Sequence, residues 1–223
     1  MKNKPLASIL VFPGTNREHD ISGALRAAGF ETKFIWHTET ALPASDLIVL
    51  PGGFSYGDYL RTGAIATLSP VMGAVREVAA KGVRVLGVCN GFQSLCEAGM
   101  LPGVLLRNGH LKFNCKFTPL RAENNNTDFT RQYRKDETFP CPIAHGDGNY
   151  TAEADTVKML EDEGRIVFRY ADNPNGSMNN IAGIISADGR VMGMMPHPEN
   201  AVNELQGETA GLKLFQSLYE AVA

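Results

Sequence analysis

The stretch GVCNGFQ, residues 87–93, sets Cys89 between Gly87 and Gly91, behind the apolar run VRVL and ahead of a helix-like segment. A sharp turn from strand to helix lifts its central side chain clear of the sheet, and glycines on either side let the two backbones approach. The pattern is a nucleophile elbow with sulfur in place of oxygen. A helix starting just after Cys89 places its partial positive charge against the sulfur and favours a thiolate. The competing reading is a structural cysteine, the ordinary fate of a free cysteine in a core. The flanking glycines and the preceding strand weigh against it.

A cysteine that performs acyl transfer needs a base, a group that orients the base, and donors for the developing oxyanion. Of the histidines His19, His37, His110, His145 and His197, only the last sits in a setting built to fix it. In MMPHPEN it lies between Pro196 and Pro198, and a proline drives the residue before it toward extended backbone. Residues two apart in an extended segment project to one side. Glu199 is therefore expected beside His197, where its carboxylate would hold the imidazole tautomer as Asp does in serine triads. An arbitrary H-x-E is usually a surface turn; a cysteine elbow in the same chain makes that the weaker alternative. The elbow supplies the N–H of Asn90 as one oxyanion donor. LPGGFSYGD offers a second from Gly52 or Gly53, at the carboxyl end of a strand, where open α/β sheets bind ligands.

The elements that must position these groups alternate in the first half. ASILVF, TKFIW, DLIVL and VRVLGV are predicted strands; NREHDISGALRAAG and SPVMGAVREVAAKG are predicted helices, stopped by Gly29 and Gly82. Ser69 is placed to cap the second helix, with Pro70 at its first position. Continuous apolar strands alternating with helices imply an α/β fold, a mostly parallel sheet covered on both faces. LKFNCKFTPLRAE and IAGIISADGRVMGMMP read as an antiparallel extension, the latter a hairpin about Asp188-Gly189. TAEADTVKMLEDEG and ELQGETAGLKLFQSLYEAVA are further helices, and residues 121–137 read as a polar, exposed loop. No linker or repeat divides the 223 residues, so one domain over 1–223 is expected.

Composition narrows the class. The chain is 43% hydrophobic and 20% charged with a net charge of −3, which argues against a nucleic-acid binder. No apolar run approaches the roughly 20 residues that span a bilayer. The apolar run near the N-terminus stops at Pro13-Gly14, as a first core strand would and a secretory signal would not. Cys89, Cys96, Cys115 and Cys141 form no CxxC pair and have no His-rich neighbour, which disfavours zinc and a disulfide framework; the cytosol is the default compartment.

LPGGFSYGDYLR, GVCNGFQ, AHGDGNY, NPNGSMNNIAGI and GMMPHPE occur in this order across residues 50–199. Together they resemble the glutaminase subunits of phosphoribosylformylglycinamidine synthase, which are class I (triad) glutamine amidotransferases of purine biosynthesis with a flavodoxin-like fold. Thr62 in YLRTGA departs from the family pattern, which carries Cys there. The resemblance implies that Cys89 attacks the side-chain amide of L-glutamine and that His197, oriented by Glu199, passes the proton to ammonia. It implies an oxyanion hole at Gly53 and Asn90, and glutamine-binding roles for Gly52, Gln93 and Gly146. His145 would be a pocket-wall or partner-facing residue. Asn175, Gly176, Asn179 and Asn180 would shape a loop near the partner, or form a plain turn. There is no G-x-x-x-x-G-K-[ST], so no cofactor is expected in this chain. The implied partners are a large synthetase subunit, which uses ATP and magnesium to make the amidine from formylglycinamide ribonucleotide, and a small third subunit.

Three rival classes carry different signatures. An elbow-cysteine hydrolase, redox sensor or chaperone would lack the late P-H-P-E. A flavodoxin-like binding module would purify yellow. A sister amidotransferase would share the chemistry and differ in its partner.

Overall fold

The computed structural model describes residues 4–223. The first half follows the expected alternation: β1 (Leu6–Val11), α1 (Glu18–Ala28), β2 (Glu31–Trp36), β3 (Leu47–Leu50), α2 (Val71–Ala80), β4 (Arg84–Val88) and α3 (Asn90–Glu97). The second half adds β5 (Val104–Leu106), β6 (Asn114–Ala122), β7 (Thr138–His145), β8 (Asn149–Thr151), α4 (Ala154–Asp162), β9 (Ile166–Tyr170), β10 (Ile181–Ile185), β11 (Val191–Met194) and α5 (Leu212–Val222).

One sheet in the order β2-β1-β3-β4-β11-β10-β9-β6-β7 runs through both halves, with β5 and β8 forming a separate pair. Pairing is parallel from β2 to β11 and antiparallel from β11 to β7. The central strands β3 and β11 are buried along their whole length, as strands with both faces covered must be. Their runs of Val, Ile, Leu and Met suit that environment. α1 ends where Gly29 turns left-handed at φ 114°, and Tyr219 of α5 packs edge-on against Phe30 just beyond it. The hairpin between β10 and β11 turns at Asp188-Gly189, with Gly189 at φ 70°.

Two local expectations are corrected. Residues 121–137 are irregular but not an exposed loop: Phe129, Thr130 and Tyr133 are buried, and Tyr133 stacks on Phe139. The segment is so polar that its two large apolar side chains, Phe129 and Tyr133, do not mark it as packed against the core. Ser69 does not cap α2 through its side chain; its hydroxyl pairs with that of Tyr56 at 2.9 Å.

The step that matters for chemistry is the parallel pairing of β11 with β4, which sets Val191 opposite Val85 and Met194 opposite Val88. Both strands therefore end at the same edge of the sheet. No helix among the described residues is long and apolar enough to cross a membrane.

Candidate active site

Cys89 sits between the end of β4 and the start of α3, at φ 52° and ψ −108°. A non-glycine residue rarely adopts this conformation, and its cost persists only where the surroundings enforce it. Three contacts enforce it here. The Cys89 N–H donates to Met194 O at 2.8 Å, and the Cys89 carbonyl accepts from Gln93 N–H at 3.1 Å. Gly91 packs so close to β3 that a Cβ would lie 1.9 Å from Leu50 O. The elbow glycines thus serve close backbone approach, as their spacing implies.

β11 delivers the imidazole. His197 Nδ1 and Glu199 Oε1 are 2.7 Å apart, both side chains essentially inaccessible. The pair forms by a different route from the one expected. His197 is near-extended at φ −104° and ψ 83°, but Pro198–Asn200 is a 3-10 turn, and the turn swings Glu199 back onto the ring. The His197 N–H is anchored on Pro142 O at 2.8 Å. Burial, the largest single influence, disfavours the imidazolium; the carboxylate charge of Glu199, the sulfur charge of Cys89 and the Glu199 hydrogen bond together outweigh it and raise the pKa to about 10. Nε2 is buried with no hydrogen-bond partner among the described residues, as a nitrogen kept for a reacting atom would be.

Gly52 joins the two halves. A Cβ there would lie 2.8 Å from His197 Cε1 and 3.5 Å from Cys89 Cβ, so its bare Cα fills the seam between base and nucleophile. That steric role is distinct from the substrate-binding role expected of it. Gly53 pairs with Thr15 in the turn after β1, and the N–H groups of Gly53 and Asn90 have no protein acceptor among the described residues. They stand on the elements flanking Cys89, where an oxyanion would form.

Beyond the backbone donors lies a buried polar network. Asn90 accepts from Ser55 N–H and hydroxyl, and donates to Asp58 at 3.1 Å and to Gln93 Oε1 at 2.9 Å. Gln93, expected to touch substrate, has both ends of its amide engaged, since Nε2 donates to Asp147 O at 2.7 Å. It ties the elbow helix to the loop that begins at Gly146. Asp58 is pushed up to about 6, by burial first and then by the charge of Asp147. Ser55, Asp58 and Asn108 were not legible as site residues; polar residues in turns carry no distinguishing signal.

His145 closes the wall. It is buried, its Nδ1 lies 3.1 Å from Asn108 Oδ1, and burial followed by the positive charge of His197 lowers its pKa to about 4. It therefore holds a proton far less well than His197 and is the weaker base of the two. Among the other cysteines, burial pushes the thiols of Cys96 and Cys141 up, which leaves them inert; Cys115 is exposed on β6, opposite Ala144, and occupies no strand-to-helix elbow. A groove of about 600 Å³ beside Glu123, Lys135 and Arg169 contains none of these groups. Among the described residues no three His, Cys, Asp or Glu side chains gather to hold a metal ion.

The arrangement can carry out thiol-mediated acyl transfer. Residues 4–220 match the model of the CobB/CobQ-like glutamine amidotransferase domain. The chain is 55% identical over 223 residues to phosphoribosylformylglycinamidine synthase subunit PurQ of Bradyrhizobium diazoefficiens, covering 95% of this chain and 96% of that one. It is 53% identical to the same subunit of Rhodopseudomonas palustris, over 97% of this chain and 98% of that one. Among solved structures, a chain of PurLQS from Thermotoga maritima superposes with a TM-score of 0.93 at 42% identity, covering 99% of this chain and 100% of that one. A glutamine amidotransferase from the same organism, at 17% identity, shares the fold with a TM-score of 0.60 over 98% of this chain and 91% of that one.

Proposed function

The chain belongs to the PurQ subunits of phosphoribosylformylglycinamidine synthase, within the glutamine amidotransferases, and from that premise we propose the following mechanism for its cysteine elbow. The chain hydrolyses L-glutamine to glutamate and ammonia and supplies the ammonia to a synthetase subunit. The thiol proton of Cys89 passes to His197 Nε2, Cys89 Sγ attacks the side-chain carbonyl carbon of glutamine, and the carbonyl π electrons move to oxygen. The N–H groups of Gly53 and Asn90 receive that oxyanion. The tetrahedral adduct collapses, the carbon–nitrogen bond breaks, and the leaving nitrogen takes the proton from His197 Nε2. Water then adds to the glutamyl thioester, giving its proton to the same nitrogen, and Cys89 departs with glutamate released. Glu199 holds the ring throughout and stabilises the imidazolium; it exchanges no proton with substrate. Gly146 and Gln93 line the glutamine site, Gln93 with its remaining N–H.

The observation that carries this reading is the meeting of a strained elbow cysteine with a buried His197–Glu199 pair at one sheet edge. The partner synthetase uses ATP and magnesium to convert formylglycinamide ribonucleotide to the amidine, a small third subunit joins the assembly, and the setting is the cytoplasm. Residues 1–223 act as one amidotransferase unit.

The test uses the assembled enzyme carrying Cys89→Ala. Glutamine-dependent synthesis should vanish, while synthesis from added ammonium salts persists. A glutamine-shaped diazoketone should label the wild-type chain on Cys89 alone. Labelling of Cys96, Cys115 or Cys141 instead, or undiminished glutamine use by the variant, would overturn the assignment.

A further inference from the structure

Between the two oxyanion donors runs a strap, Gly53 to Asp58, that leaves β3 and passes through a 3-10 turn at Ser55–Asp58. Gly53 carries one donor. Ser55 and Asp58 grip the side chain behind the other. The Ser55 N–H donates to Asn90 Oδ1 at 3.0 Å, its hydroxyl donates to the same oxygen, and Asn90 Nδ2 donates to Asp58 Oδ1 at 3.1 Å. The spacing between the two N–H groups is therefore set by the strap. In the middle of it Tyr56 sits at φ 54°, a left-handed value that a bulky side chain rarely adopts. Such a conformation persists only where the surroundings over-determine it.

Two sets of contacts do so at Tyr56. Along the backbone, Phe54 N–H donates to Gly14 O at 2.9 Å and Tyr56 N–H to Pro13 O at 2.7 Å. Gly14 admits the strap only because it lacks a side chain, since a Cβ there would lie 2.2 Å from Phe54 O. At the tip of the side chain, Tyr56 Oη lies 2.8 Å from His37 Nδ1 and 2.9 Å from Ser69 Oγ, so its one proton and its lone pairs serve both. Those partners belong to the body of the fold. His37 follows β2; its N–H donates to Val11 O at 3.0 Å, and its carbonyl accepts from Val71 N–H at 3.3 Å at the start of α2. Its ring stacks on Phe12 and meets Trp36 and Tyr56 edge-on, with centroids 6.5, 4.8 and 5.6 Å away. Ser69 is buried at the entry to α2. The phenol thus pins the strap to β1, β2 and α2, flanked in sequence by the two residues that grip Asn90.

We propose that Tyr56 is a positioning residue, and that its clasp by His37 and Ser69 holds the strap so that the Gly53 and Asn90 N–H groups converge on one oxygen. The inference rests on the glutaminase reading above and adds what keeps its oxyanion donors in register. Donors aimed at charge that develops only in the transition state raise kcat without tightening the substrate. Loss of a whole oxyanion donor costs about 10²–10³ in kcat, and a donor pair left in place but unpinned costs less. In the assembled enzyme, Tyr56→Phe keeps the ring and removes the hydroxyl. Its kcat for glutamate release should fall about tenfold, with KM within about twofold of wild type. Ammonium-dependent synthesis should not change. Alkylation of Cys89 by iodoacetamide displaces iodide at a saturated carbon and develops no oxyanion, so its rate should stay within about twofold of wild type. His37→Asn, whose amide oxygen replaces Nδ1 as a partner for the phenol, should retain more kcat than His37→Ala. Ser69→Ala removes one of the two clasp contacts, should lower kcat by less than Tyr56→Phe, and serves if Tyr56→Phe does not fold. An alkylation rate that falls with kcat would overturn the proposal, because a merely structural role disturbs the elbow as a whole. An undiminished kcat in Tyr56→Phe, or a loss carried by KM alone, would also overturn it. Failure of the glutaminase reading shows separately, as a wild-type enzyme that releases no glutamate and takes no diazoketone label on Cys89.

Discussion

Gly52→Ala isolates the fit between base and nucleophile without removing either. The added Cβ would lie 2.8 Å from His197 Cε1, 3.3 Å from Arg17 Cγ and 3.5 Å from Cys89 Cβ. Carbon atoms rest about 3.5–4.0 Å apart, so the ring must retreat by roughly 0.7 Å. It has no slack in which to do so: Glu199 holds Nδ1 at 2.7 Å and Pro142 O holds the backbone N–H at 2.8 Å. A misplacement near 1 Å costs about a hundredfold in rate, so kcat should fall about 10- to 100-fold, or ~1.4–2.7 kcal/mol in the barrier. Gly52 lies outside the left-handed region, so alanine meets no backbone penalty there, and the loss of stability should be confined to about 1–3 kcal/mol, typical of an overpacked contact. The assay is glutamate release by the assembled enzyme at saturating glutamine, with ammonium-dependent synthesis as the control for folding and assembly. A kcat within twofold of wild type would refute the claim that Gly52 sets the seam.

Other outcomes follow from the same geometry. His197→Ala should nearly abolish glutamine hydrolysis while Glu199→Gln retains more, and wild-type turnover in the former would exclude His197 as the base. Because the folded-state pKa of His197 is raised to about 10, the His197–Glu199 pair contributes stability fully present below the ordinary histidine value and lost as pH rises through about 10. Glu199→Gln removes the raising charge and leaves burial, so the pH at which the His197 imidazolium loses its proton, followed by imidazole NMR, should move to lower pH; an unmoved titration would sink that account. Asp58 is raised to about 6, so its favourable protonated form is fully present below about pH 4 and lost as pH rises through 6. Asp58→Asn keeps an acceptor for Asn90 and should flatten the stability profile over that window by about 1 kcal/mol, after allowance for solvent screening; identical denaturation profiles for variant and wild type would count against it. Phe129→Ala should cost about 3–5 kcal/mol in denaturant unfolding, and a loss under about 1 kcal/mol would contradict its burial.

The parts of this protein that are local were legible in the order of its residues. GVCNG specified a strand, a turn and a helix because only glycine permits Gly91 to approach Leu50 as it does, and the apolar runs of β1, β3 and β4 announced strands buried on both faces. P-H-P-E placed Glu199 near His197 in the chain, but the 3-10 turn at Pro198–Asn200, rather than the extended backbone expected, is what swings the carboxylate onto the ring. What residue order could not supply is distance across the chain. Cys89 and His197 are brought together only because β11 pairs parallel to β4 in one register, Met194 opposite Val88; a one-residue slip would turn every side chain of β11 to the other face. Nor could it reveal that Asn108 in one turn and Asn175 and Ser177 in another converge on the carbonyls of one loop. An asparagine in a turn has the same local signature whether it faces water or a buried carbonyl, and which of the two it meets is decided by packing between elements remote in sequence.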